Sequence, residues 1–360
     1  MEFVDAQGYT YEPTSWLTFN DVLLRPRRSR FKSRNDKTIS LKTHLGSEQY
    51  LDLPIISANM DTVTGTAMAI EMSQIGGLGI LHRFYPSLSD YAAAIHEVAK
   101  IRMRIGFSVG CGETWVRFVN DINDDFHESL AKELIVCLDV AHGHMEQAMD
   151  TVRELRKLSN IFIIAGNVAT PEGAVDLVDC GADCIKVGVG CGSVCTTRLV
   201  TGHGIPQLSA IMNVKKALVD KGGRTGIIAD GGIRNSGDIV KALAAGADAV
   251  MIGNMLSGCD ETPGEPIRTR EGSFKLYRGQ SSRHFLNDLG KVGVAAEGEA
   301  IEIKTKGPVR PIIEELCGGI RSGFTYSGVG SIAELQDTAT CIEIGHHAWV
   351  ESTPHALRSQ

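Results

Sequence analysis

Eight short apolar runs, most with Gly, Asn or Asp at or next to the C-terminal end, constrain this chain more than any other feature. They are Leu53–Met60, Leu78–His82, Arg104–Gly110, Leu134–Val140, Ile161–Val168, Cys184–Gly190, Thr225–Gly232 and Ala249–Met255. Unbroken apolar runs of this length read as strands buried on both faces, as in a parallel sheet. The segments Thr66–Gln74, Ser87–Lys100, Met145–Leu158, Pro171–Asp179 and Ser236–Ala245 carry helical spacing of apolar positions, with a start signal such as Thr170-Pro171-Glu172. Eight strands alternating with helices predict an α/β chain folded as a (β/α)₈ TIM barrel, one catalytic domain over residues 1–360. An open doubly wound sheet is the competing arrangement, and it rarely needs eight such evenly spaced units.

Strand starts are mostly 23 to 30 residues apart, but Cys184 and Thr225 are separated by 41. The extra length falls directly after strand six, on the C-terminal face where barrel chemistry sits. A second insertion, about 257–306, follows strand eight. It is polar and Gly-rich and reads as a mobile flap over the same face. The last helical pieces are expected at Glu314–Gly318 and Ile332–Gln336.

The loop after strand six reads Gly190-Cys191-Gly192-Ser193-Val194-Cys195-Thr196-Thr197-Arg198. Its glycines let backbone N–H groups converge on an anion, with the Ser193 hydroxyl as a further donor. A thiol at Cys195 then sits beside that anion site as a nucleophile, with Arg198 near enough to favour the thiolate. Thr197 is placed to pass a proton to a group leaving the same centre. Asp230-Gly231-Gly232 and Gly253-Asn254 end strands seven and eight, the usual barrel phosphate region, where an acceptor-only Asp230 suits a ribose diol. Glu297 in the flap is a candidate general acid or base. His142 and His144, after strand four, read as structural or cofactor-lining because no third ligand has metal-site spacing. Cys180, Cys184, Cys191 and Cys195 lack a CxxC pair and do not read as a metal cluster.

The totals narrow the class. A net charge of −7 disfavours nucleic acid as a partner, although local amides can still hold a small phosphorylated substrate. Nine cysteines without framework spacing, no long apolar run and no signal-peptide core point to a chain without a membrane span, located in a reducing cytoplasm.

The chain resembles the IMP dehydrogenase/GMP reductase family from Leu17 to about Leu335. The likeness rests on Asn20-Asp21-Val22-Leu23-Leu24-Arg25-Pro26, Ala58-Asn59-Met60-Asp61-Thr62-Val63 and Ala165-Gly166-Asn167-Val168. It rests most specifically on Gly192-Ser193-Val194-Cys195-Thr196-Thr197-Arg198, followed by Thr201-Gly202-His203-Gly204 and Pro206-Gln207. The resemblance implies a homotetrameric barrel of purine nucleotide salvage in which Cys195 attacks C2 of the purine to form a thioimidate. It implies nucleotide contacts at Ser193, Asp230, Gly231, Gly232, Gly253, Asn254, Gly279, Gln280, Ser281 and Gly298. It implies dinucleotide contacts at Ser33, Arg34, Arg83, Asp139, Val140, Ala141, Val189 and Gly190. Gly190, Gly192, Cys195 and Arg198 match a potassium site, and Glu297 a proton relay with Thr197.

Two branches share the thioimidate. The dehydrogenase oxidises IMP with NAD and hydrolyses the adduct to XMP using an Arg-Tyr pair on a long flap. The reductase expels ammonia from GMP and takes hydride from NADPH to give IMP. No Arg-Tyr pair lies between Ser282 and Glu297, the flap stretch 277–297 is short, and no pair of CBS domains interrupts the barrel after strand two. These features place the expectation on the reductase branch. Tyr277-Arg278-Gly279 is dehydrogenase-like, and Val294-Ala295-Ala296 stands where animal reductases have Arg-Ala-Ser. A dehydrogenase without CBS domains, and a catalytically silent nucleotide-binding protein, are the competing functions. An intact Cys195 and Thr197 argue against the silent one.

Overall fold

The computed structural model describes residues 1–47, 49–101, 104–126, 134–159, 161–222 and 224–352. Eight parallel strands close into a barrel: β1 (Ile55–Ser57), β2 (Leu78–Leu81), β3 (Ile105–Val109), β4 (Leu134–Asp139), β5 (Ile161–Val168), β6 (Cys184–Val187), β7 (Gly226–Asp230) and β8 (Ala249–Ile252). Closure is made where Val250 and Met251 of β8 pair with Ile55 and Ile56 of β1. Each falls within one of the eight apolar runs.

The two-residue period of a strand explains why those runs are apolar throughout. Ile80, Ile135, Cys137, Phe162, Ile164, Ile228 and Met251 fill the barrel interior, and Leu45 and Leu51 close it from below. Their neighbours Leu81, Leu134, Val136, Leu138, Ile163, Ile185 and Ile227 face outward and pack under the helices.

The surrounding helices are α1 (Thr66–Gln74), α2 (Leu88–Ala99), α3 (Glu113–Asp125), α4 (Glu146–Arg156), α5 (Pro171–Asp179), α6 (Thr197–Thr201), α7 (Gln207–Asp220) and α8 (Ser236–Ala244). Several start on side-chain caps that were visible as sequence signals. Ser87 accepts from Asp90 N, Thr170 from Gly173 N with Pro171 in the first turn, and Asn235 from Asp238 N.

Two of the longer helices around the barrel escape the sequence reading, as does the short α6. The start of α3 carries no side-chain cap and follows Gly112, and its buried face is built on Phe118, Val119 and Ile122. The other, α7, lies inside the long segment after β6, which spacing alone marks only as an insertion. The expected fragment at 314–318 is part of a 19-residue helix, α10 (Val309–Ser327). Its internal Gly318-Gly319 hides it from a propensity reading. A Cβ on Gly319 would lie 2.1 Å from Ser236 Oγ, so this glycine is the condition for α10 to lie against α8.

The insertion after β8 is more ordered than a polar, Gly-rich flap suggests. It contains an antiparallel sheet of β9 (Ile267–Thr269), β10 (Gly272–Arg278) and β11 (Ala300–Lys304), with α9 (Arg283–Asp288) between the last two. Lys275 of β10 anchors this sheet to the segment after β8. Its buried ammonium contacts the carbonyls of Thr262 at 2.7 Å, Cys259 at 3.0 Å and Asp260 at 3.2 Å, and Thr262 Oγ1 at 3.2 Å. Lys275→Met should leave those acceptors buried and unpaired, destabilising the flap by roughly 2–4 kcal/mol. Thermal unfolding and limited proteolysis across 263–306 check this: a lower midpoint with new cleavage there is expected, and an unchanged pattern contradicts it.

Beside α7 and α8, Glu2–Val4, Thr10–Tyr11, Thr340–Glu343 and Val22–Leu24 form a four-stranded sheet joining the two ends of the described chain. No helix among the described residues is long and apolar enough to cross a membrane.

Candidate active site

The cleft at the C-terminal end of the barrel is lined by the loop after β6, the ends of β4 and β7, and the flap. The loop can lie close to β7 because Gly188 has no side chain: a Cβ there would lie 1.9 Å from the Asp230 carbonyl oxygen. Cys191 secures the next turn, its thiol approaching Gln207 Oε1 at 3.3 Å and the Asp230 carbonyl at 3.2 Å. Burial, and then the Asp230 carboxylate, push the Cys191 thiol up to about 12, so it stays protonated. It is a structural thiol beside the half-buried Cys195.

Cys195 begins a hydrogen-bonded chain. Its thiol donates to Thr197 Oγ1 at 3.2 Å, and Thr197 Oγ1 donates to Glu297 Oε2 at 2.8 Å. Three residues separated by up to 102 positions therefore share one proton path. The flap backbone enforces the register. Thr196 N donates to the Glu297 carbonyl (3.0 Å), Glu299 N to the Val194 carbonyl (2.8 Å), and Cys195 is bridged to Gly298. Glu297 N in turn donates to the Ser281 carbonyl at 2.9 Å.

Of the residues expected to contact a nucleotide, Ser193, Asp230, Gly231, Gly279, Gln280 and Ser281 all line the cleft. Gln280 Nε2 donates to the Asn59 carbonyl at 2.6 Å, which pins this part of the flap to the end of β1. Gly232, Gly253 and Gly298 adjoin the lining without facing it. Gly253 lies beneath the Tyr277 hydroxyl, which a Cβ would approach to 3.1 Å. Asn254 points its carbonyl at Lys306 Nζ (2.9 Å) and lies outside the cleft lining.

Arg83, Asp139, Val140, Ala141, Val189 and Gly190 line the same cleft. Arg83 stacks over Phe84 with its guanidinium 4.4 Å from the ring centroid, and its buried Nε has no hydrogen-bond partner in the structure. An unsatisfied buried donor at the mouth of a cleft fits a ligand with acceptor groups, as a nicotinamide dinucleotide has. Ser33 and Arg34 do not reach this cleft within one chain. Ser33 caps a turn by accepting from Asn35 N, and Arg34 lines a separate hollow with Arg25, Lys241 and Tyr326.

Arg198 runs past Gly190 and Gly204 and donates to the Ile205 carbonyl at 3.0 Å. A guanidinium has no acceptor, so only the main chain of Arg198 has ligand chemistry for a cation. The carbonyls of Gly190, Gly192 and Cys195 have that chemistry too. His144 is held by Asp176 (Nε2 to Oδ2, 2.8 Å), a helix-side tie, and the described residues contain no cluster of three metal-ligating side chains.

Three contributors were missed in the sequence. The Tyr277 hydroxyl lies 3.0 Å from Ser193 Oγ at the floor of the cleft. Asn167 Nδ2 donates to Asp230 Oδ2 at 2.9 Å and to the Gly188 carbonyl at 2.8 Å. Lys186 projects into the cleft from the middle of β6 and bridges Asp139 and Asp230, 3.0 Å from each. A lysine within an otherwise apolar strand is the signal that would have found it, because unpaired buried lysines are almost never seen. Arg278, next to Tyr277, is taken up elsewhere: it holds Asp61 Oδ2 through Nε at 2.9 Å and Nη2 at 2.5 Å, and also bonds Asp288.

A domain model described as IMP dehydrogenase / GMP reductase matches residues 16–355. GMP reductase 1 of Mus musculus is 40% identical, over 91% of this chain and 95% of that protein. Inosine-5'-monophosphate dehydrogenase of Borreliella burgdorferi is 35% identical, over 95% of this chain and 97% of that protein. Among solved structures, a Cys-to-Ala variant of GMP reductase from Trypanosoma brucei in complex with guanosine 5'-monophosphate matches with a TM-score of 0.86. It is 28% identical, over 95% of this chain and 98% of that one.

Proposed function

The chain belongs to the IMP dehydrogenase/GMP reductase family of oxidoreductases, and from that premise we propose that it is a GMP reductase. The reaction is GMP plus NADPH to IMP, ammonia and NADP. Cys195 gives up its thiol proton to Thr197 and Glu297 as Sγ bonds to C2 of guanine, and the same pair returns that proton to the exocyclic amine, which leaves C2 as ammonia. NADPH supplies the hydride that reduces C2, after which the C–S bond breaks and Cys195 returns. Ser193, Gly231, Gly232 and Gly253 hold the phosphate end, Asp230 accepts from the ribose diol, and Gly279, Gln280, Ser281 and Gly298 frame the base; Asn254, outside the cleft lining, takes no part. Arg83, Asp139, Val140, Ala141, Val189 and Gly190 receive the dinucleotide.

The observation that carries the branch choice is the engagement of Tyr277 and Arg278. The Tyr277 hydroxyl is paired with Ser193 and Arg278 with Asp61 and Asp288. The stretch from Ser282 to Glu297 contains no tyrosine, and its one arginine, Arg283, donates to the Val294 carbonyl. Among the described residues of the flap, no arginine–tyrosine pair is left to activate water against the adduct. Hydride delivery is then the exit.

The carbonyls of Gly190, Gly192 and Cys195 would hold a potassium ion that stiffens the Cys195 loop. The working form is a cytoplasmic homotetramer, in which Ser33 and Arg34 serve a neighbouring copy's dinucleotide. Their distance from their own chain's cleft supports this, as does Leu199 of α6, which is 87% exposed. The competing reading, a dehydrogenase without CBS domains, draws on the Tyr277-Arg278-Gly279 sequence.

One assay separates the two. Purified protein with GMP and NADPH is expected to oxidise NADPH and release ammonia and IMP in equal amounts. Conversion of IMP and NAD to XMP, without GMP-dependent NADPH oxidation, overturns the assignment.

A further inference from the structure

Lys186 is 2% exposed and lies between carboxylates from the ends of two different strands. Its Nζ is 3.0 Å from Asp139 Oδ1 at the end of β4 and 3.0 Å from Asp230 Oδ2 at the end of β7. Asn167 adds a second hydrogen bond to the same oxygen of Asp230. The other oxygen, Asp230 Oδ1, has no hydrogen-bond partner among the described residues, and Asp230 lines the cleft. Burial alone would discharge a lysine; Asp230 and Asp139 together hold Lys186 well above its ordinary value. Burial likewise favours a neutral Asp139, and Lys186, then Arg83, keep it below the usual carboxylate value. One cation therefore serves two anions, and neither can change its hydrogen bonding without altering the other's share.

We propose that Lys186 is a positioning residue that couples nucleotide binding to dinucleotide binding, by dividing one ammonium between the carboxylate of each half-site. The inference rests on the reading of Asp230 as the ribose acceptor and Asp139 as a dinucleotide contact. When a ribose diol donates to Asp230 Oδ1, that carboxylate draws less on the ammonium. Lys186 then pairs more fully with Asp139 and fixes it for the second ligand. Linkage makes the effect reciprocal.

The test uses GMP and NADP, a pair that does not react, with dissociation constants for each measured alone and with the other saturating. In the wild type the affinity for NADP should rise about fivefold or more with GMP present, the lower end of ordinary coupling. In Lys186→Met that factor should collapse to about one, with Lys186→Arg restoring most of it. The charged and titratable groups facing Lys186 are Asp230 of β7 and Asp139 and Cys137 of β4, and Arg83, beyond β2, acts on Asp139 in turn. Without the ammonium, two close carboxylates raise the proton affinity of one of them. GMP affinity of Lys186→Met should therefore fall as pH drops from 8 to 6, while the wild type stays flat. A merely structural lysine would not introduce that profile.

Asp139→Asn, which leaves the lysine in place, should weaken GMP binding about threefold or more from the dinucleotide side, because Asp230 then carries the whole ammonium. It serves also if Lys186→Met does not fold. An unchanged coupling factor and flat pH profile in Lys186→Met, or unchanged GMP affinity in Asp139→Asn, overturns the proposal. Failure of the wild type to bind GMP or NADP is seen before any variant is made; it overturns the reading of the site and the coupling with it.

Discussion

Replacement of Cys195 by alanine is expected to reduce turnover by on the order of 10⁴-fold or more, the scale seen when a covalent nucleophile is removed. GMP affinity should change by less than about tenfold. The two quantities separate because they depend on different atoms. The phosphate and ribose contacts proposed above come from Ser193, Asp230 and the strand-end glycines, and none of them needs the thiol. The sulfur contributes only once it bonds to C2, so its loss appears in the transition state rather than in ground-state binding. The loop should survive, since Cys195 is half-buried and its backbone remains fixed by Gly298 and by the turn from Cys195 N to the Gly192 carbonyl. Steady-state rates and calorimetric titration with GMP check both halves. Full activity in the variant, or an adduct trapped on another residue, rules out Cys195 as the nucleophile.

The barrel was legible because its strands are buried on both faces. Ile135 and Cys137 turn inward while Leu134, Val136 and Leu138 turn outward, and both sets must be apolar. The run itself therefore marks the strand without any periodic signal. The Cys195 loop was legible because glycine is required where backbone approaches backbone, as at Gly188. What was not legible was pairing between distant segments. Nothing near Lys186 in the chain announces Asp139 or Asp230, which come from other strands. The sequence Tyr277-Arg278-Gly279 reads as dehydrogenase-like, and nothing in it announces that Tyr277 meets Ser193 and Arg278 meets Asp61. The flap sheet was hidden for a related reason. Its strands β9 and β11 are largely exposed, so they lack the apolar runs that revealed the barrel, and its anchor Lys275 satisfies backbone carbonyls rather than a charged partner.

The chain from Cys195 through Thr197 to Glu297 makes a second large effect testable. Glu297→Gln should slow the step that expels ammonia by about 10² to 10⁴, the usual worth of positioned acid–base help. The amide keeps the size of the side chain and still accepts a hydrogen bond from Thr197 Oγ1, now 2.8 Å from the carboxylate. It cannot take up and return a proton. An amine leaving C2 as an anion is a very poor leaving group, so the missing proton falls on that step. Hydride transfer requires no proton from this pair and should be nearly unaffected. The partial reaction of IMP with NADP, run in reverse to the cysteine adduct and NADPH, isolates hydride transfer from ammonia chemistry. Rapid mixing should show NADPH appearing at close to the wild-type rate in that direction, while ammonia release from GMP is slowed. Equal slowing of both directions would mean that Glu297 acts by holding the flap on the Cys195 loop. Normal ammonia release would make it a flap carboxylate with no part in the chemistry.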